Sequence, residues 1–417
     1  MQHPLKFCYI STFYPPYSFG GDAVYIYHLA NSLAAQGHEV DIIHCADSYR
    51  MLAGPPNAAP LPHHPAVTVH TLQSPFGPLS PFLSQQTGRP WLKANKIRSI
   101  LKGRKFDVVH FHNISLFGPK VLGMEADCGR HIRLYTTHEH WLICPMHVLW
   151  KDNERLCDRP QCMRCTLRFH RPPQWWRHTN LLERAANHID LFLSPSRFTI
   201  DMHHQRGFRR PFAQLSLFTP APVPGTGAGS EDVRRRPYFL FVGRLERIKG
   251  LQNIIPIFRK YRKADLLIAG KGSREVELQR LAHGMDNVTF LGWLSPNRLA
   301  ALYRGAIALI VPSICYEVSP LVLFEAFSHR TPAIVNNLGT LPEIVEECRG
   351  GLVCGKQEEF LFALEQLHTN EELRKQLGDN AHRTWESEWS EQAHLRRYFN
   401  VLNDTAQRKY GSALRNE

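Results

Sequence analysis

The sequence predicts an α/β protein with two doubly wound, parallel-sheet domains. Short apolar runs typical of buried strands alternate with longer helical runs over residues 6–217, and the same alternation resumes over 238–354. Between them, residues 219–230 are rich in Pro, Gly and Ala and suit neither a strand nor a helix. The chain has 417 residues, which is too long for one ordinary hydrophobic core. We therefore expect a linker between two domains.

The first domain is predicted to begin with a strand at 7–10. Gly20 and Gly21 follow this strand and precede an amphipathic helix over 24–36. Adjacent glycines before a helix let the backbone approach a ligand closely. A pair of glycines also marks many ordinary turns, so the pair alone does not separate the two interpretations.

Two later strands of this domain end in histidines. One run, 106–113, carries His110 and His112, and another, 134–140, carries His138. Because open α/β sheets bind ligands at the carboxyl ends of their strands, His138 is a candidate for a hydrogen bond to a ligand. A histidine in such a position has a purely structural role in many proteins, and the pattern leaves both roles open.

The second domain is predicted to begin with a buried strand over 238–242. Gly243 and Arg244 follow this strand, and Lys249 precedes a helix. Two cations at a strand end can neutralise a diphosphate leaving group. The alternative interpretation is a solvated basic turn.

Glu317 and Glu325 belong to a segment that joins a strand to a helix. The strand over 307–313 ends before Glu317, and the apolar run over 321–327 continues as a helix. The first backbone N–H groups of that helix are unpaired and suit a diphosphate. Glu317 would then face a sugar, and Glu325 would accept hydrogen bonds from a ribose. On this segment alone, two solvated surface charges explain the pattern equally well.

These motifs follow one another in a fixed order along the second half of the chain. The order is Gly243-Arg244-Leu245 with Lys249-Gly250, then Phe290-Leu291-Gly292-Trp293, then 317–325, with further matches at 302–306 and 339–345. In this order the segment 236–390 resembles the retaining glycosyltransferases of family 4. The resemblance implies the GT-B fold, in which two Rossmann-like domains face a central cleft. It also implies transfer of a sugar from a UDP- or GDP-sugar to a glycan or lipid-linked acceptor, in cell-surface polysaccharide or glycolipid biosynthesis.

The resemblance also assigns roles to residues of this sequence. Glu317, His138, Arg244 and Lys249 correspond to the catalytic group, in which His138 orients the sugar. Gly20 and Gly21 correspond to a loop between the acceptor and the donor phosphates. The residues at donor-binding positions are Gly243, Arg244, Lys249, Gly272, Val318, Ser319, Pro320, Leu321 and Glu325.

The sequence departs from the family in the loop expected to bind phosphate, where Ser319-Pro320 replaces the usual Phe-Gly. Pro320 removes a backbone donor near the diphosphate, and Ser319 offers a hydroxyl instead. The segment 270–272 replaces a more acidic turn. No Asp-x-Asp metal motif follows a predicted strand, so we expect no catalytic metal and no other cofactor. Arg244, Lys249 and the helix N-terminus would neutralise the charge instead.

The predicted boundaries follow from these segments. An amino-terminal, acceptor-binding domain covers 1–218, a linker covers 219–236, and the nucleotide-sugar domain covers 237–390. By the resemblance, the final helix within 391–417 crosses back to the amino-terminal domain.

Two insertions are predicted in the first domain, at 51–89 and 144–178. The first is rich in Pro, Ser and small residues, and we expect a mobile surface loop. The second contains four cysteines, whose spacing leaves open a structural zinc site, free thiols or a disulfide. These cysteines are Cys144, Cys157, Cys162 and Cys165.

Residues 168–178 interleave aromatic side chains with arginines. This pattern suits a membrane–water interface, where Trp rings favour the headgroup layer and Arg attracts anionic lipid. A loop whose tryptophans pack onto the domain fits the same residues. Stacking on nucleic acid is disfavoured because no recognisable nucleic-acid module accompanies the run.

Composition extends these expectations to the protein's location. The net charge is +13 and the pI is about 9.4, which suits an anionic partner. No apolar run approaches the roughly 18 residues of a membrane span, and the amino terminus leads directly into a predicted strand. We therefore expect a cytoplasmic protein with a peripheral contact at the inner face of an anionic membrane. The alternative from a different class is a catalytically silent scaffold of the same fold that binds a nucleotide or a membrane.

Overall fold

The computed structural model describes residues 4–56, 59–124, 130–222, 236–412 and 414. The chain separates into an amino-terminal unit, Met1–Leu217 with His394–Glu417, and a carboxy-terminal unit, Phe218–Ala393. Each unit is built on its own parallel sheet. Of the predicted linker, residues 223–235 lie outside the described part of the chain.

The amino-terminal unit alternates strands and helices around a sheet in the order β3-β2-β1-β4-β5-β8-β9, and neighbouring strands are parallel. Its strands are β1 (Lys6–Ile10), β2 (Glu39–Cys45), β3 (Val67–Leu72), β4 (Val108–Phe111), β5 (Ile132–Thr136), β6 (Trp150–Lys151), β7 (Arg155–Leu156), β8 (Leu191–Ser194) and β9 (Phe212–Gln214). Its helices are α1 (Gly21–Ala35), α2 (Ala46–Ala53), α3 (Leu79–Thr87), α4 (Ala94–Gly103), α5 (Cys162–Arg168), α6 (Leu181–Ala186) and α7 (Arg197–Gln205), with short 3₁₀ turns at Pro119–Gly123 and Trp175–His178.

The carboxy-terminal unit repeats this plan with the strand order β12-β11-β10-β13-β14-β15, again parallel. Its strands are β10 (Tyr238–Val242), β11 (Asp265–Ala269), β12 (Val288–Gly292), β13 (Leu309–Val311), β14 (Ala333–Asn336) and β15 (Gly351–Cys354). Its helices are α8 (Leu251–Lys260), α9 (Glu275–Leu281), α10 (Pro296–Gly305), α11 (Leu321–Ser328), α12 (Thr340–Cys348), α13 (Gln357–Thr369) and α14 (Glu371–Thr384), with a 3₁₀ turn at Arg247–Lys249 and a π-helical turn at Trp385–Trp389.

In both sheets the strand order reverses beside the first strand of the unit. β1 pairs with β2 on one side and with β4 on the other, and β10 pairs in the same way with β11 and β13. The central strands are buried on both faces, which explains their nearly continuous apolar sequences. In open parallel sheets, the loops at the carboxyl ends of the strands diverge where the strand order reverses, and ligands generally bind at that point.

The last helix, α15 (Glu391–Tyr410), begins in the carboxy-terminal unit and belongs to the amino-terminal unit from His394 onwards. The His394 Nε2 atom lies 2.9 Å from the Tyr25 hydroxyl. The Tyr398 hydroxyl lies 2.9 Å from His110 Nδ1. All four side chains are buried, so α15 completes the core of the amino-terminal unit.

The insertion 51–89 is not the surface loop that its composition predicts. It contains β3, which pairs in parallel with β2, and the helix α3. Val67 and Val69 pair with Val40 and Ile42. The β-branched residues Val67, Thr68, Val69 and Thr71 are a strand signal, which the flanking Pro-rich segments obscured in the sequence.

The insertion 144–178 contains the β6–β7 hairpin, α5 and a 3₁₀ turn. The two tryptophans of this 3₁₀ turn differ in environment. Trp176 is 5% exposed, lies 5.7 Å from the ring of Trp141 and donates from Nε1 to the Gln85 carbonyl at 2.9 Å. Trp175 is 58% exposed. One tryptophan therefore packs onto the unit and the other remains on its surface. Among the helices in the described ranges, none combines the length and apolar character needed to cross a bilayer.

A close backbone approach at Gly250, just before α8, generates a prediction. Gly250 has φ of +77°, and a Cβ there would lie 1.9 Å from the Pro312 carbonyl oxygen. Gly284 has a similar φ of +74°, but no heavy atom lies within 4 Å of its Cβ position. We expect Gly284→Ala to lower the free energy of unfolding by about 1 kcal/mol through backbone strain, and Gly250→Ala by about 3 kcal/mol or more. Thermal melting of both variants checks this, and equal melting temperatures would contradict it.

Candidate functional site

The loops that follow β10, β11 and β12 are joined at one edge of the carboxy-terminal sheet. The Leu245 N–H donates to the Lys271 carbonyl at 3.0 Å, and the Gly270 N–H donates to the Gly292 carbonyl at 2.7 Å. A Cβ at Gly270 would lie 1.9 Å from the Gly243 carbonyl oxygen, so this approach requires glycine. The three loops therefore form a fixed backbone surface at the carboxyl ends of the strands.

An ion pair between Lys249 and Glu317 lies at this edge. Lys249 Nζ donates to Glu317 Oε1 at 2.7 Å, and Ser313 Oγ donates to the same oxygen at 2.6 Å. The Lys249 and Glu317 side chains are 22% and 13% exposed. Burial lowers the pKa of Lys249 and raises that of Glu317, but the attraction between the two charges outweighs burial. The net effect raises the pKa of Lys249 and lowers that of Glu317, so both remain charged at neutral pH.

The sequence suggested separate tasks for these two residues, and the structure brings them into direct contact. Lys249 follows β10 by way of a 3₁₀ turn, whereas Glu317 follows β13. The Ile314 N–H donates to the Ile248 carbonyl at 2.9 Å and holds the two loops together. Lys249 thus fixes the orientation of the Glu317 carboxylate and retains further ammonium hydrogens for a ligand or water.

Arg244 and Gly272 lie beside this pair. Arg244 is half exposed, forms a 2.7 Å ion pair with Glu246 and contributes to the lowered pKa of Glu317. A Cβ at Gly272 would lie 2.4 Å from the Leu245 carbonyl oxygen, so the loop after β11 packs tightly here. Arg244 therefore lies close enough to act on Glu317, and Gly272 packs against Leu245 in the loop after β10.

Residues 318–321 lead into α11. Pro320 precedes the helix, which begins at Leu321 and has no side-chain cap. Val318 is buried, and the buried Ser319 Oγ has no hydrogen-bond partner within the described residues. Buried hydroxyls rarely lack a partner. The uncapped helix start and the Ser319 hydroxyl therefore suit a ligand oxygen with negative charge.

Glu325 lies one turn into α11 and is engaged by a tyrosine that the sequence did not indicate. The Tyr303 hydroxyl donates to Glu325 Oε2 at 2.7 Å. Burial raises the pKa of Glu325, and the hydrogen bond from Tyr303 opposes that rise. Tyr303 thus orients this carboxylate, and the ribose contact that the resemblance implies stays a prediction.

In the amino-terminal unit, His138 follows β5, is partly buried and forms a row of imidazoles with the buried His112. Its Nε2 lies 2.9 Å from His112 Nδ1, and the two rings stack with centroids 5.2 Å apart. Its Nδ1 is buried without a partner within the described residues. Burial lowers the pKa of His138 to about 3, so the imidazole is neutral at pH 7. The neutral ring can donate or accept a hydrogen bond with a ligand but does not contribute a positive charge.

His110, the neighbour of this row, has a structural role. Its Nδ1 contacts the Tyr398 hydroxyl at 2.9 Å, and its Nε2 contacts Thr136 Oγ1 at 2.8 Å. Both ring nitrogens are therefore used within the protein. The structure thus gives the two histidines different roles: His110 has no ring nitrogen left for a ligand, whereas His138 keeps its Nδ1 atom.

The structure also groups polar residues that the sequence did not single out: Asp22, Asn113 and Glu139. Burial raises the pKa of Asp22 to about 6, and the nearby Glu139 carboxylate adds to the effect, while a hydrogen bond from Asn113 opposes it. Glu139 Oε2 accepts a hydrogen bond from His147 Nδ1 at 2.6 Å, and its Oε1 is buried without a partner among described residues. The sequence offered one signal for two of them, because Asp22 directly follows Gly21 and Glu139 directly follows His138. Such groups suit a ligand rich in hydroxyls.

Gly20 and Gly21 mark the start of α1. Both are exposed, and α1 begins at Gly21 without a side-chain cap. Gly20 has an extended backbone, with φ of −165°, and a Cβ there would meet only ordinary contacts. The backbone conformation therefore does not require glycine at position 20. Glycine would be needed there if a ligand approached the N-terminus of α1 closely.

The four cysteines of the insertion 144–178 do not assemble a metal site. Cys144, Cys157, Cys162 and Cys165 are free thiols. Across the part of the chain that the structure describes, no group of three or more His, Cys, Asp or Glu residues could hold a metal ion. The free thiols therefore agree with the free-thiol alternative over a disulfide.

Comparisons with known proteins cover both units. Residues 230–384 match the family model described as Glycosyl transferases group 1, and residues 19–215 match that of Glycosyltransferase Family 4. The chain is 25% identical over 373 residues to an uncharacterized glycosyltransferase of Methanocaldococcus jannaschii, covering 84% of each chain.

Solved structures show the same fold. Sucrose-phosphate synthase of Thermosynechococcus elongatus superposes with a TM-score of 0.72 at 20% identity, covering 95% of this chain and 98% of the other. HepE of Anabaena, in complex with UDP-glucose, gives a TM-score of 0.65 at 15% identity, covering 96% and 100%. The fold is GT-B, which confirms the sequence prediction.

The neutral state of the partly buried His138 generates a prediction about stability and pH. Its folded pKa of about 3 lies below the ordinary value of 6.5. The unfolded chain therefore binds a proton below pH 6.5 that the folded protein does not bind until near pH 3, and stability is lost as pH falls through this window. We expect this histidine to contribute up to about 1.4 kcal/mol of destabilisation per pH unit. His138→Gln should therefore lose less melting temperature between pH 7 and pH 5 than wild type. The exposed His283→Gln variant is the control, and equal slopes in all three proteins would contradict the prediction.

Proposed function

The chain is a glycosyltransferase and belongs to family 4, and on this basis we propose that it moves a sugar from a UDP- or GDP-sugar to a glycan or lipid-linked acceptor with retention of anomeric configuration. The bond between the anomeric carbon and the departing diphosphate breaks, and a bond to an acceptor hydroxyl oxygen forms on the same face. The departing phosphate oxygen accepts the hydroxyl proton. The protein binds, orients and neutralises charge, with no catalytic metal and no cofactor.

The observation that carries this proposal is the cluster of Lys249, Glu317 and Ser313 directly before α11. The diphosphate would lie at the uncapped start of α11, where the helix dipole and the Ser319 hydroxyl favour negative charge. Arg244 and Lys249 would neutralise the charge that develops as the diphosphate departs. Glu317, held by two hydrogen bonds to Oε1, would accept hydrogen bonds from the transferred sugar.

Nucleotide binding has further support in the carboxy-terminal unit. Gly243, Gly272, Val318, Pro320 and Leu321 belong to the loops and helix start around this cluster. The backbone there can approach a diphosphate closely. Glu325, oriented by its hydrogen bond with Tyr303, would bind the ribose hydroxyls. The similarity to HepE, solved with UDP-glucose, favours a nucleotide-sugar donor.

The amino-terminal unit would bind the acceptor. Neutral His138 would orient a sugar hydroxyl through its unpartnered Nδ1 atom. Asp22 and Glu139 offer carboxylate oxygens to other hydroxyls, and Gly20 and Gly21 leave the start of α1 open to a phosphate oxygen. These groups are polar and hydrogen-bonding in character, as recognition of a carbohydrate requires.

We place this reaction in cell-surface polysaccharide or glycolipid biosynthesis, in the cytoplasm, with a peripheral contact at an anionic membrane. Phe76, Phe82 and Trp175 support the contact because they are 60%, 43% and 58% exposed. The segments that carry them are joined by the hydrogen bond from Trp176 to Gln85. The net charge of +13 favours anionic lipid.

The donor site is tested by calorimetry with UDP, GDP and a panel of their sugars, in the presence of EDTA. We expect one nucleotide family to bind wild type. Lys249→Ala should weaken binding and lower turnover by about 100-fold or more, because charge neutralisation at the diphosphate is lost. Glu317→Ala should also weaken binding of the nucleotide sugar and lower turnover, because the transferred sugar loses a hydrogen-bond acceptor and Lys249 loses its partner. Lys263→Ala is the matched control, since Lys263 forms a 2.6 Å ion pair with Glu365 but is 62% exposed. It should behave like wild type.

A second variant separates loss of function from loss of folding. Removing one partner of a buried ion pair costs about 3–5 kcal/mol of stability, so melting temperatures accompany each measurement. Glu317→Gln keeps the shape and hydrogen-bonding capacity of the side chain while removing its charge. Folded wild type that binds no nucleotide, or binds one without turnover over any acceptor, would favour the silent scaffold.

The raised pKa of Asp22 predicts a pH dependence for acceptor use. Because the pKa is about 6, the carboxylate is protonated below that pH and no longer accepts a second hydrogen bond. We expect kcat/KM for the acceptor to rise up to about tenfold per pH unit below pH 6 and to level off above it. Asp22→Asn should remove this inflection, whereas the exposed Asp201→Asn should keep it. An unchanged profile in Asp22→Asn would exclude Asp22 from acceptor binding.

A further inference from the structure

A cavity of about 520 Å³ opens in the amino-terminal unit where α5, the turn Trp175–His178 and the end of α7 meet. Four arginines line it, and among its described lining residues Glu183 is the one carboxylate. We call it the arginine cavity. Its arginines are Arg177, Arg206, Arg209 and Arg210.

Arg177 is held in this cavity by groups that carry no negative charge. Its Nη2 donates to the Trp141 carbonyl at 2.6 Å, and its Nε donates to the Gln174 side chain. The guanidinium also lies over the Trp176 ring, 4.7 Å from the centroid. Burial lowers the pKa of Arg177 to about 10, which leaves it charged at pH 7. The guanidinium is fixed in position, and within the described residues it forms no ion pair.

Arg206 and Arg210 follow the same pattern. Arg206 Nη2 donates to the Cys157 carbonyl, and Arg210 Nη2 donates to the Glu183 carbonyl at 2.9 Å. Within the described ranges, none of the four arginines forms an ion pair. Four like charges that share a lining with the single described carboxylate of Glu183 are unfavourable until an anion binds. Guanidinium groups fixed in advance bind phosphate with little loss of conformational freedom.

We propose that the arginine cavity binds the phosphate head of an anionic lipid. The lining is not wholly polar, because Leu142, Ile143, Leu182 and Phe208 form apolar parts of the wall. A free phosphate would make no favourable contact with these apolar side chains, whereas the glycerol and first methylenes of a lipid would pack against them. The chemistry of the cavity therefore matches an amphipathic phosphate.

The surroundings of the cavity favour a lipid in a membrane over a soluble ligand. Met163 lines the cavity and is 40% exposed. Trp175, which is 58% exposed, adjoins the lining residue Gln174. Exposed apolar side chains beside a cationic cavity suit the interface of a bilayer, where a Trp ring lies at the headgroup level.

This inference rests on the membrane contact in the proposed function and names the group that recognises the lipid. The amino-terminal unit would be held at the surface where lipid-linked acceptors reside. The site is independent of the donor chemistry, since none of its residues belongs to the carboxy-terminal unit.

The test measures co-sedimentation with phosphatidylcholine vesicles that contain or lack phosphatidic acid. The variant Arg209→Gln with Arg210→Gln removes two charges from the cavity. Its control, Arg396→Gln with Arg408→Gln, removes two exposed charges from α15 of the same unit. We expect the cavity variant to weaken binding to phosphatidic acid vesicles at least about tenfold more than the control does.

A second arm distinguishes a lipid headgroup from free phosphate. Met163→Gln removes an apolar contact at the cavity without changing charge, so vesicle binding should weaken while calorimetric binding of inorganic phosphate stays unchanged. Equal weakening in the cavity and control variants would overturn the proposal, because net charge alone would then explain the binding. Binding of inorganic phosphate without preference for phosphatidic acid vesicles would also overturn it.

Folding and donor chemistry are kept apart from this result. Melting temperatures establish that each variant is folded. If Arg210 proves necessary for folding, the single variant Arg209→Gln, at an exposed position, replaces the double cavity variant. Its control is then the single variant Arg408→Gln. Equal vesicle binding by this single pair would again overturn the proposal. The vesicle assay contains no nucleotide sugar. A negative vesicle result therefore does not bear on the donor site of Lys249 and Glu317, and a negative result at the donor site does not bear on the arginine cavity.

Discussion

The reversal of strand order in each parallel sheet is the constraint on which the candidate sites depend. Where β10 lies between β11 and β13, the loops at the carboxyl ends diverge, and Lys249 and Glu317 enter from opposite sides of that divergence. The same reversal at β1 and β4 brings Asp22 near Asn113 in the amino-terminal unit. The sheets supply rigidity, and the diverging loops supply polar groups that need not bond to one another.

The Lys249–Glu317 pair shows how contact changes the meaning of two charged residues. Two isolated charges at a strand end would attract phosphate and sugar independently. Once joined at 2.7 Å, with Ser313 on the same carboxylate oxygen, they form a nearly neutral group of fixed geometry. At the proposed donor site, the positive potential would then come from the start of α11 and from half-exposed Arg244 as well as from Lys249.

Local patterns in the sequence were sufficient for the fold and for the loops that follow the strands of the carboxy-terminal unit. Apolar strand runs and the glycines after them, such as Gly243 and Gly270, carry their meaning within a few residues. The strand β3 was missed because its Pro-rich flanks outweighed the strand signal of six residues rich in Val and Thr. The Tyr303–Glu325 bond and the grouping of Asp22 with Glu139 were missed for another reason. Their proximity depends on the packing of elements far apart in the chain, and spacing carries no record of it.

The division of the amino-terminal unit between the two ends of the chain has a consequence for biosynthesis. Tyr25 and His110 find their partners His394 and Tyr398 on the last helix. A ribosome therefore exposes the whole carboxy-terminal unit before the residues that complete the earlier unit emerge. The unit that is translated first is completed last, and until then its incomplete core is a surface for chaperones to cover.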